Sequence, residues 1–156
     1  MAIDQTQLVQ EVLDILDETF EHHHGIFLDK NTSLFATLAA VDHRQASRPV
    51  GTSCASIAAQ VAHITFYLEV LERYLVANDT SKADWGEVWR TIEQVTPSEW
   101  EQLKANLEQT YRRVVAELRN AAVWESDPQL STALAITVHT AYHLGEIRQA
   151  LCTIKE

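Results

Sequence analysis

The stretch LSTALAITVHTAYHLGEIRQAL, Leu130–Leu151, decides the fold. Its only formal charges are Glu146 and Arg148. At 100° per residue Thr132, Ile136, His139, His143, Glu146, Ile147 and Ala150 share one helical face. Leu130, Leu134, Val138, Ala141 and Leu144 occupy much of the rest. A helix apolar nearly all round is buried nearly all round. The pattern therefore predicts helical neighbours on one side, and long loops or a second copy of the chain on the other. Asp127-Pro128, cap then proline, marks its start, and it runs to about Thr153.

Working outward, three more long helical patterns appear. From Asp4 to Phe20, Leu8, Val12, Ile15, Leu16 and Phe20 step by three and four. After Gly51-Thr52-Ser53, the stripe Ile57, Val61, Ile64, Leu68, Leu71, Leu75 forms a near-heptad seam that stops before Asn78-Asp79. Thr96-Pro97-Ser98-Glu99 is a capping box with proline at the first helical position. Trp100, Leu103, Leu107, Tyr111, Val114 and Leu118 follow it as one stripe. SLFATLAAV (33–41) and ADWGEVWRTIEQV (83–95) read as short helices in the connections. The expectation is an all-α, single-domain chain over residues 1–156: a four-helix bundle with short extra helices in its loops.

Composition agrees with that class. The chain is 46% hydrophobic and 22% charged, with four glycines and three prolines, and no repeat or linker interrupts it. Lys and Arg number 12 against 22 Asp and Glu, a net charge of −10, which disfavours nucleic acid and anionic membrane surfaces as partners. No apolar run approaches the about 18 residues of a membrane span, and the acidic N-terminus is unlike a signal peptide. Cys54 and Cys152 are too few for a disulfide framework and read as reduced, largely buried thiols of a cytoplasmic protein.

The histidines carry the chemistry. His139 and His143 lie one turn apart on one face, close enough for both imidazoles to reach one metal ion. On the second long helix His63 lies on the shoulder stripe Gln60, His63, Tyr67, Val70, Tyr74, beside the buried seam. Three imidazoles from two helices leave coordination positions open for water or substrate; a core histidine satisfied by a hydrogen bond is the plainer reading of His63 alone. The run His22-His23-His24 reads as a helix end, where imidazolium suits the negative end of the dipole. Consecutive residues point about 100° apart, so the three cannot chelate one ion from a regular helix; a loop-ligand or substrate-pocket role is the alternative.

QVAHITFYLEVL (60–71) together with HTAYHLGEIRQAL (139–151) resembles the DinB/YfiT-like superfamily of metalloenzymes. Its members are four-helix bundles with one histidine on helix two and an HxxxHxGQI-type motif on helix four. The resemblance extends over essentially the whole chain, including the tryptophan-containing segment before the third long helix. It implies that His63, His139 and His143 are a triad for a divalent metal, nickel or zinc first and iron or manganese next. It further implies close helix packing at Gly145, a homodimer, and a small-molecule substrate. In members whose chemistry is understood, that substrate includes a low-molecular-weight thiol such as bacillithiol or mycothiol, in S-transfer or isomerisation. The expected function is thus a metal-dependent transferase or hydrolase; the alternative is a non-catalytic dimeric bundle that binds metal or a small ligand.

This sequence departs from the motif at Glu146, where the family usually has Gln. Its carboxylate can be a fourth ligand, a partner for an imidazole N–H, or a general base. Gln60 can orient a water or His63, and Tyr67 is the better pocket candidate of the two nearby tyrosines, Tyr142 reading as core. Cys54, near a helix start, reads as packing rather than nucleophile. His43 reads as a surface residue, and Trp85, Trp89 and Trp100 as one hydrophobic cover able to line a substrate mouth.

Overall fold

The structure, a computed structural model, describes residues 4–51, 54–120, 124 and 127–154. In chain order the helices are α1 (Gln5–Phe20), α2 (Leu34–Ala39), α3 (His43–Ser47), α4 (Ile57–Ala77), α5 (Glu87–Thr91), α6 (Pro97–Leu118) and α7 (Asp127–Ile154). Among the described residues there is no strand, and no helix is long and apolar enough to cross a membrane.

Local chemistry sets most of the helix ends. Asp4 accepts the Thr6 amide and caps α1. Thr96 and Glu99 close the capping box at the start of α6, with Pro97 at its first position. Asn78, at φ +49°, ends α4 in the left-handed conformation that asparagine tolerates. The cap of α4 is Ser56, whose hydroxyl accepts the Ala59 amide; Thr52 and Ser53 lie outside the described residues. Any cap role of the Asp127 side chain lies outside them too.

The long helices meet along the apolar stripes. α4 packs against both α6 and α7, and α1 lies against α7 and α6. Ile57, Val61, Ile64 and Leu68 of α4 are fully buried with Leu107, Val114 and Leu118 of α6 and Ile136, Leu144 and Ile147 of α7. Phe20 stacks on Tyr111 at 4.2 Å between ring centres, and Phe35 meets both rings edge-on. One short helix, α3, carries no apolar period and is invisible to pattern reading. It exists because Asp42 and Gln45 form a second capping box, which half-buries His43 instead of leaving it on the surface.

Four other expectations are corrected. Cys54 and Cys152 are exposed, because one precedes the α4 cap and the other faces outward on the last turns of α7. α7 keeps an exposed apolar stripe, Leu134, Val138 and Tyr142, at successive steps of four; Tyr142, 61% exposed, is therefore not a core residue. Gly145 sits on the same outer side, and a Cβ added there would meet nothing within 4 Å, so among the described residues no helix packs closely against it. The three tryptophans do not form one cover. Trp100 is buried in the core with its indole N–H donating to the Val41 carbonyl at 2.8 Å, while Trp89, against His63, and Trp85, against Phe66 and Tyr67, stay exposed.

Candidate metal centre

The shoulder of α4 and the inner face of α7 bring three imidazoles together. His63 and His143 are buried and His139 is half-buried; one ring nitrogen from each lies within 4.8 Å of the other two. The Nε2 atoms of His63 and His139 face each other at 3.1 Å. Two ring nitrogens at that distance either share one proton or turn their lone pairs onto one cation. His63 Nδ1 is buried without a hydrogen-bond partner, so the ring is not held in place by a hydrogen bond on its far side.

His143 is fixed from behind. Its Nδ1 is 2.7 Å from Gln60 Oε1 and 2.8 Å from Glu146 Oε2. Both are acceptors, so the ring proton sits on Nδ1 and the Nε2 lone pair is free. A carboxylate behind a histidine is the usual way to orient a metal ligand and raise its basicity. Of the three roles open to Glu146, the geometry therefore favours partner of an imidazole N–H. Tyr142, one turn before, donates its hydroxyl to Glu146 Oε1 at 2.7 Å and holds the carboxylate in line.

Electrostatics favour lone pairs over protons. Burial, with His143 beside it, pushes His63 down to about 4, against a small opposing pull from Glu146. Burial and the two other imidazoles do the same to His139, also to about 4. Burial lowers His143 too, with Glu146 opposing. Three neutral imidazoles on one point fit a divalent ion, and the donor set suits zinc or nickel.

Aromatic rings complete the surroundings. Tyr67 lies flat on His139 at 3.5 Å between centres, and Trp89 of α5 stacks on His63 at 4.3 Å. Burial raises the Tyr67 phenol, so it is held as the neutral hydroxyl. On the Gln60 and Glu146 side an open cavity of about 850 Å³ runs past His143, walled by Val50, Ala55, Trp89 and Ala150, with the Cys54 thiol at its edge.

All six residues singled out in the sequence, His63, His139, His143, Gln60, Glu146 and Tyr67, thus meet in one place. One neighbour was missed as a site residue. Tyr142 had a signal, a tyrosine four residues before Glu146 on the same helix. Trp89, read in the sequence as cover able to line a substrate mouth, lines the cavity and stacks on His63. Compared with family models, curated proteins and solved structures, the chain matches none of them.

Proposed function

We propose that the chain is a four-helix bundle of the DinB/YfiT-like kind, formed by α1, α4, α6 and α7, that binds one divalent metal through His63, His139 and His143 and acts as a metal-dependent enzyme on a small molecule. One observation carries the reading: His63 and His139 aim Nε2 at a common point while Gln60 and Glu146 leave His143 Nε2 free beside them. When bound, such a metal supplies Lewis acidity and lowers the pKa of a coordinated water or thiol.

The chain's own residues do the rest. Gln60 and Glu146 hold the His143 tautomer, and Tyr142 holds Glu146. Glu146 also lines the cavity, where its carboxylate can take up a proton from a bound molecule. Among the described lining residues there is no lysine or arginine. The cavity thus suits an apolar or uncharged body better than a strongly anionic one, which narrows the thiol chemistry to a thiol partnered with an apolar electrophile.

A second, non-catalytic reading has its own support. Tyr67 and Trp89 lie against two of the three imidazoles, as they would around a metal whose role is structural or sensory. A homodimer is part of the proposal on either reading, because Leu134, Val138 and Tyr142 leave an exposed apolar stripe on α7 that no other described helix covers.

The test is tightly held metal, measured by elemental mass spectrometry on untagged protein passed over chelating resin, with His63→Ala and His143→Ala alongside. About one ion per chain, lost in both variants while the helical circular dichroism survives, supports a shared centre. No retained metal after reconstitution, with both variants folding normally, overturns it. A water on the metal that exchanges with solvent favours the enzyme; a closed coordination sphere favours the structural role.

A further inference from the structure

The run His22-His23-His24 plays no part in the centre above, yet its surroundings are unusually organised. α1 ends at Phe20, and the amides of Glu21 and His22 both bond the Asp17 carbonyl, at 2.7 and 3.1 Å. The chain then turns back over the helix end around Glu18. That carboxylate is fully buried and accepts the backbone amides of His24, Gly25, Ile26 and Phe27. Gly25, at φ +79°, allows the reversal. The histidines therefore leave the helix before they could diverge at 100° per residue, and two of them swing onto one carboxylate. His22 Nδ1 lies 3.2 Å and His24 Nε2 2.6 Å from the same oxygen, Asp17 Oδ2. Glu21 Oε2 is 3.7 Å from His22 Nδ1.

We propose that Asp17, Glu21, His22 and His24 form a second site, for a divalent transition-metal ion, at the C-terminal end of α1.

Three features carry it beyond a pair of hydrogen-bonded histidines. The first is spacing. Ligands at about 2.0–2.2 Å around a tetrahedral ion stand about 3.3 Å apart; one donor atom each of Asp17, Glu21 and His22 lies within 4.8 Å of the other two, with His22 Nδ1 at 3.2 and 3.7 Å from the two carboxylates, and His24 Nε2 is 2.6 Å from Asp17 Oδ2. The second is chemistry: two imidazoles and two carboxylates select zinc, nickel or copper over magnesium or calcium, and their two negative charges match a divalent ion. The third is orientation. Arg112 Nη1 stands 2.9 Å from Glu21 Oε1, an ion pair without hydrogen-bond alignment, and it leaves Oε2 turned toward His22.

Access matches the role. The carboxylates are the shielded part, Glu21 being 15% and Asp17 30% exposed, whereas the His22 imidazole is 70% exposed, so an ion enters from solvent. An ion in this position would staple the first turn of the loop to the end of α1. It shares no residue with the His63, His139, His143 centre.

The experiment titrates Zn²⁺, and separately Cu²⁺, into the untagged, metal-stripped full chain by calorimetry, with copper coordination read by electron paramagnetic resonance. The variants are His22→Ala/His24→Ala, the conservative His24→Gln, His63→Ala, and His43→Ala as a control histidine. The expected result is that the wild type and His43→Ala bind one more ion than His22→Ala/His24→Ala, with the helical signal unchanged. His24→Gln keeps a hydrogen bond to Asp17 but weakens this class at least about tenfold, and the two-nitrogen copper signal falls to one nitrogen. His63→Ala retains the site. If the inner triad holds no metal, the wild type binds this ion alone, so the failure of one proposal is distinguishable from the failure of the other. Equal stoichiometry in the wild type and His22→Ala/His24→Ala, or an equal loss in His43→Ala, overturns the second site. A double variant that fails to fold leaves His24→Gln to decide, and wild-type affinity there also overturns it.

Discussion

The geometry behind His143 makes a graded prediction about metal affinity. Nδ1–H has two acceptors at nearly equal distance, Gln60 Oε1 at 2.7 Å and Glu146 Oε2 at 2.8 Å. Removing either leaves the other in place, so the ring keeps its tautomer. Glu146 is charged and is the stronger acceptor, but it is partly exposed and shared with Tyr142. Glu146→Ala is therefore expected to weaken binding about tenfold, near 1.4 kcal/mol, at the lower end of what an outer hydrogen-bond partner contributes. Gln60→Leu, which leaves the carboxylate, is expected to cost about threefold. The double variant strands a buried N–H and frees the ring to rotate, so its loss is expected to exceed the product of the two, at about 100-fold or more. Affinity is read by competition with a chromophoric chelator near neutral pH, and circular dichroism confirms the fold. A folded double variant with wild-type affinity would refute the argument. So would a loss of about a thousandfold or more in Glu146→Ala alone, since that is the behaviour of a direct ligand.

Further outcomes follow from individual residues. Gly145→Ala is expected to raise stability by about 0.5–1 kcal/mol in urea unfolding, because the added methyl meets nothing within 4 Å and a helical glycine is replaced. Glu18→Ala is expected to cost about 3 kcal/mol in the same assay, since it removes the carboxylate that gathers four backbone amides. Burial alone would raise the Glu18 carboxyl, but those amides hold it below its ordinary value; its contribution is present above the usual carboxylate range and is lost as the pH falls through the lowered pKa. His63 and His139 act over a higher window. Held near 4 in the folded metal-free protein, they stay neutral while the unfolded chain takes up protons below about 6.5, so stability falls between pH 6.5 and 4. Unfolding curves of His63→Ala with a slope equal to wild type across that window would remove the effect. Val138→Glu is expected to make the protein monomeric by light scattering without loss of helix, and an unchanged mass would dismiss the α7 stripe as an interface.

Much of this protein is legible in one dimension. The helical class follows from periods of three and four, and the capping box at Thr96–Glu99 marks the start of α6 to the residue. The pairing of His139 with His143 follows from one turn of helix, and the placing of His63 on the shoulder of α4 follows from its stripe. These are local facts, fixed by a few neighbouring residues and the geometry of a single helix.

What the sequence left open depended on groups far apart in the chain. That Glu146 backs His143 beside Gln60 required α4 and α7 to be set side by side. That Trp89 stacks on His63 required α5 to be set against α4. Tyr142 as a core residue and Gly145 as a site of close packing were misread because hydrophobicity reports what a side chain prefers, while burial depends on how many helices surround it. At His22–His24 the step of 100° per residue ruled out a shared ion only for as long as the helix lasts. Glu18, a carboxylate with no signal of its own in the sequence, turns the backbone at Gly25 and brings the side chains back together.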